Sequence, residues 1–86
     1  MEIKKELIKR EISGETFLVP VGKTVYESNG LFLLTEVGAF LWDLLPEAKD
    51  TEELVSAVCG EYDIDQATAR EDIQAFLKKL ATMGIL

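Results

Sequence analysis

Few residues in this 86-residue sequence can carry covalent or proton-transfer chemistry, because it holds one cysteine, Cys59, and no histidine. The commonest general base is therefore missing, and neither a Ser/His/Asp nor a Cys/His nucleophile arrangement can be assembled. The same inventory leaves no Cys/His metal constellation, so neither zinc nor haem is expected and no cofactor is assigned. Adjacent carboxylates occur at Glu52 and Glu53 and at Glu71 and Asp72. Neighbours on a helix point about 100° apart, so these pairs read as solvated surface charge rather than as acid and base partners. Cys59 lies among acids, which do not favour a thiolate, and reads as a small buried hydrophobe. The chemistry points away from an enzyme and toward binding.

Hydrophobic residues make up 48% of the chain and charged residues 29%, which is enough to build a core and far from the composition of a disordered chain. A chain of this length has room for one domain, expected to span residues 1–86. No apolar run approaches the roughly 18 residues that span a bilayer, and the start from Met1 to Lys5 lacks the apolar centre of a signal peptide. The expectation is a cytoplasmic protein with no membrane partner.

The elements follow from spacing. Leu7 to Ile12 and Glu15 to Val21 read as two strands joined at Ser13-Gly14, with Phe17, Val19 and Val21 on one face. Pro20 cannot donate to a strand ladder and marks the end of that pairing. Gly22 to Asn29 is a connector in which Thr24 to Ser28 is open to a short extra strand, and Asn29-Gly30 is a tight-turn dipeptide before a third strand, Leu31 to Leu34. Thr35 is placed to cap a first helix whose Val37, Phe40, Leu41, Leu44 and Leu45 form one apolar stripe before Pro46, while Gly38 permits close backbone contact. Trp42 lies beside that stripe and is assigned to the core. Asp50-Thr51 opens a second helix, with Leu54, Val55 and Val58 facing inward. Asp65 opens a third, running to Met83 and carrying Ala69, Ile73, Phe76, Leu77, Leu80 and Met83 before Gly84. The order of three short strands and then three helices defines an α+β chain.

Three strands cannot bury both faces by themselves, so helices must cover one side, and the sheet keeps an edge strand with unpaired backbone groups. Such an edge beside an apolar helix face is the physical recipe for adding an extended peptide as a further strand. An edge that is merely blunted is the plainer reading of the same pattern.

Two blocks of sequence carry a resemblance. The first is Asn29-Gly30-Leu31-Phe32-Leu33-Leu34-Thr35-Glu36-Val37-Gly38-Ala39-Phe40-Leu41-Trp42-Asp43-Leu44-Leu45. The second runs from Thr51-Glu52-Glu53-Leu54-Val55 through Glu61-Tyr62-Asp63-Ile64-Asp65 and Asp72-Ile73-Gln74-Ala75-Phe76-Leu77-Lys78-Lys79-Leu80 to Gly84-Ile85-Leu86. In order and spacing they resemble the PqqD-like family, with Thr35 where that family usually has an Asn cap. The resemblance implies a winged-helix-like, non-catalytic recognition element for ribosomally synthesised and modified peptides, which binds the leader segment of a precursor peptide and presents it to a modifying enzyme, often a radical SAM protein. The product in the founding case is pyrroloquinoline quinone, and relatives serve other peptides. The resemblance also implies a leader site along the third strand and the third helix. Carried onto this chain, Leu31, Phe32, Leu33 and Leu34 would supply backbone pairing, and Arg70, Ile73, Gln74, Leu77 and Lys78 the helix wall. Alternation along a strand means that either Leu31 and Leu33 or Phe32 and Leu34 point to the helices.

A winged-helix-like chain could also be a DNA-binding protein. Sixteen acids against 9 bases, a net charge of -7, oppose that role, because nucleic-acid affinity rests on cations that displace phosphate counterions. No nucleic-acid partner is expected. A structural scaffold without a peptide ligand, monomeric or dimeric, is the remaining alternative.

Overall fold

Ser13 and Gly14 both take positive φ, 53° and 80°, the geometry of a two-residue hairpin turn whose twist matches that of its strands. They join β1 (Leu7–Ile12) to β2 (Glu15–Pro20), which pair antiparallel from Ile12 opposite Glu15 to Leu7 opposite Pro20. The ladder ends at Pro20, which has no N–H to give, and one further backbone bond, from the Val21 N–H to the Glu6 carbonyl at 2.9 Å, lies just past it. The computed structural model describes residues 1–27 and 31–86. The tight turn expected at Asn29-Gly30 lies outside the described residues.

After β2 the chain forms one helical turn, α1 (Thr24–Glu27), where a short strand had been open. Thr24 explains the difference. It is 3% exposed, and its hydroxyl accepts the Glu6 N–H at 2.8 Å, which fastens the turn to the segment before β1. Two β-propensity residues, Val25 and Tyr26, do not outweigh that anchor.

β3 (Phe32–Leu34) completes a three-stranded antiparallel sheet in the order β1-β2-β3, with Leu18 opposite Phe32 and Thr16 opposite Leu34. Its facing is now decided. Leu34 is 5% exposed and Phe32 half-buried, both on the side of the buried Leu18, whereas Leu33 is 56% exposed and Leu31 54%. Phe17 and Val19 consequently lie on the outer face of β2, half-buried, and the core residue between them is Leu18.

The helices cover the inner face. α2 (Glu36–Leu44) begins at Thr35, whose hydroxyl accepts the Gly38 N–H at 3.0 Å, and passes into a 3-10 turn at Leu45–Glu47 that contains Pro46. Trp42 is buried, as its place beside the stripe implied. α3 (Thr51–Glu61) starts on the Asp50 carboxylate, which accepts the Glu53 N–H, and packs against α4 (Gln66–Thr82). α4 ends as Gly84 turns at φ 75°, so that the Ile85 N–H reaches the Leu80 carbonyl at 2.9 Å. The core joins Leu18 and Leu34 from the sheet to Leu41, Leu54, Ile73 and Leu80 from the helices. The architecture is the expected α+β arrangement of three N-terminal strands and three main helices, with one added helical turn between the second and third strands.

Candidate functional site

β3 is bonded to β2 on one side and has no strand on its other side among the described residues. An edge strand of this kind leaves every second set of backbone N–H and C=O groups without a ladder partner. α4 comes near β3 on the side covered by the helices. The two elements are bridged by side chains: Lys79 Nζ sits 5.1 Å from the centroid of the Phe32 ring, a cation over an aromatic face.

The floor of the space between them comes from α2. Strand, α2 and α4 meet around Gly38: an added Cβ there would lie at ordinary contact distance from the Phe76 ring, 3.5 Å, and the Leu34 side chain, 3.6 Å, and tightly, at 3.2 Å, against the Thr35 hydroxyl that caps α2. Around that point an open cleft is lined by Thr35, Val37 and Gly38 on one side and by Asp72, Ala75 and Phe76 on the other. Its volume is about 360 Å³ and it is open to solvent on one side, room for a few side chains of a bound segment. A half-open apolar cleft beside an unpaired strand edge can hold an extended chain by backbone hydrogen bonds and seat an apolar side chain.

A second depression lies at the far end of β3. Its lining includes Glu11, Glu15, Thr16, Leu33, Thr35 and Glu36. Three carboxylates and no base make that end of the strand acidic. Among the described residues no group of three or more His, Cys, Asp or Glu is placed to hold a metal, and no helix is long and apolar enough to cross a membrane.

The strand residues singled out from the sequence lie on this edge. Phe32 and Leu34 face the helices and Leu33 faces away, while Leu31 precedes the strand proper. The helix residues are spread over different faces of α4. At 3.6 residues per turn, Asp72, Ala75, Phe76 and Lys79 form the wall toward β3, and Arg70, Gln74 and Lys78 occupy a different face of α4. Arg70 is turned to α3, where its Nε and Nη2 donate to the Glu52 carboxylate at 3.0 and 2.6 Å. That bond holds Glu52 below the usual carboxylate range and raises Arg70 further. Gln74 and Lys78 are exposed beyond the cleft, Leu77 is half-buried against the core, and Ile73 is fully buried with no surface to offer a ligand. The set named from the sequence and the cleft-lining set centre about half a turn apart on α4, on opposite borders of the apolar stripe, and nothing local says which border faces the strand. Gly38, read from the sequence as a point of close contact, lies where the Phe76 ring and the Leu34 side chain meet α2.

No curated protein matches the chain. A solved structure described as "TbiB1 in Complex with the TbiA(beta) Leader Peptide" is similar at a TM-score of 0.74 and 35% sequence identity, covering 100% of this chain and 94% of that one. The family model "Coenzyme PQQ synthesis protein D (PqqD)" matches residues 15–86, from the first residue of β2 onward. With so much of its length matched, and with the strand and helix order that the resemblance implied, this chain belongs to the PqqD family.

Proposed function

We propose that this chain is a non-catalytic recognition module, one domain over residues 1–86, which binds the leader segment of a ribosomally made precursor peptide and presents it to a modifying enzyme. The leader adds as a strand along Phe32, Leu33 and Leu34, with Leu31 extending the contact. It lies in the groove whose opposite wall is Asp72, Ala75, Phe76 and Lys79. The observation that carries this reading is the free edge of β3 beside an apolar cleft, and the leader peptide bound to the similar TbiB1 supports it. Strand addition needs no catalytic group, which suits a chain without histidine. The enzyme served is of a peptide-modifying class, with radical SAM proteins the first candidate, and the setting is cytoplasmic.

The test is a titration of the labelled chain with the leader segment of a short precursor encoded near its gene. Saturable binding with NMR shifts concentrated at Phe32 to Leu34 and Asp72 to Lys79 is expected. Saturable binding of duplex DNA at physiological salt, with no response to the peptide, would overturn the reading.

A further inference from the structure

Between β3 and α4 stand the apolar side chains of Phe32, Leu34 and Phe76, with charges of opposite sign to either side of them. Lys79 stands over Phe32 at the start of β3, and Asp72 lines the cleft beside Thr35 at its end. The two are seven residues apart on α4, which places them about 10 Å apart along the helix. The ion pairs formed among the described residues are Lys9 with Asp43 and Arg70 with Glu52, so neither Asp72 nor Lys79 is neutralised by a described neighbour. Glu15 and Glu36 lie around the end of β3 as well, which strengthens the negative sign there.

We infer that this asymmetry selects leader segments carrying a basic residue followed, four positions later, by an acidic one, with an apolar residue midway. The inference rests on the leader-binding reading and specifies its substrate. The sheet is antiparallel throughout, and an added strand that continues the pattern runs antiparallel to β3. Its N-terminal part then lies beside Thr35 and Asp72, and its C-terminal part beside Phe32 and Lys79. Side chains at i, i+2 and i+4 point to one side of a strand, roughly 7 Å apart in sequence. The first and last reach inward to the two charges by their flexible stems, and the middle one enters the cleft at Val37, Gly38 and Phe76. Reversing the two charges sets like against like at both ends, which penalises the wrong sequence as well as favouring the right one.

Two capped synthetic 14-residue peptides of equal composition test this, one centred on Lys-Thr-Leu-Thr-Glu and the other on Glu-Thr-Leu-Thr-Lys, in identical Thr- and Val-rich flanks. The first is expected to bind about five-fold or more tightly at low salt, with the preference fading in 0.5 M salt, roughly 4 Å of Debye length. The double variant Asp72→Lys with Lys79→Glu, both exposed positions, is expected to invert the order. Equal binding of both peptides, with NMR shifts at β3, overturns the charge selection and leaves leader binding standing. Failure of both to bind, or shifts elsewhere, also overturns the charge selection, and the titration with the precursor's own leader decides the leader-binding reading separately.

Discussion

Ala75 and Gln74 are neighbours in sequence and exposed alike, yet one lines the cleft and the other does not. Ala75→Trp fills the cleft from its rim and is expected to weaken leader binding by about ten-fold or more, whereas Gln74→Trp leaves it within about two-fold. Both should unfold at nearly the wild-type urea midpoint, since neither touches the core. Equal effects from the two variants would return the wall to the face first read from the sequence. Ile73 is the converse case. Fully buried, it should cost about 3 kcal/mol of stability on truncation to Ala, read from urea denaturation, and change peptide affinity only through folding. The identity of the apolar stripe was legible because burial imposes a helical period. Which of its border residues meets the strand was not, because that depends on how α4 rolls against α2 and β3, and no local signal reports the roll.

The elements themselves were written more openly, because caps and turns are local chemistry. Ser13-Gly14, Thr35, Asp50, Asp65 and Gly84 each stand where the backbone needs them. Gly84→Ala puts a Cβ on a residue at φ 75° and is expected to cost about 1 to 2 kcal/mol, measured as a shift of the thermal or urea transition. Asp65 gives a pH dependence. Its carboxylate accepts the Thr68 N–H at 2.7 Å, and that bond, with a second from the Thr68 hydroxyl, holds the acid below its usual range near 4. A carboxylate depressed in the folded state adds stability above its unfolded pKa and loses it as pH falls through the folded value. The stability gap between the wild type and Asp65→Asn should therefore be present at pH 6 and close toward pH 2. A gap that persists at pH 2 would show that the charge contributes nothing. The helical turn α1 was the element that local patterning missed, since the hydrogen bond from Glu6 to Thr24 joins residues 18 apart in sequence.

For the molecule as a whole, the net charge of -7 and the polarity of the groove act together. A net acidic chain disfavours phosphate backbones and strongly acidic peptides, and the proposed charge selection would favour a segment whose leading end is basic. The free edge of β3 is also a hazard, because unpaired strands add to one another, and occupation by a leader would remove it. A bound leader is expected to pair with that edge. Amide hydrogen exchange measures it directly: with and without saturating leader segment from the neighbouring precursor, the rates at Phe32, Leu33 and Leu34 are compared. At least one of these amides, the one pointing away from β2, is expected to slow by about ten-fold or more when the leader is bound. Saturable leader binding that leaves all three exchanging at their free rates would contradict strand addition at β3.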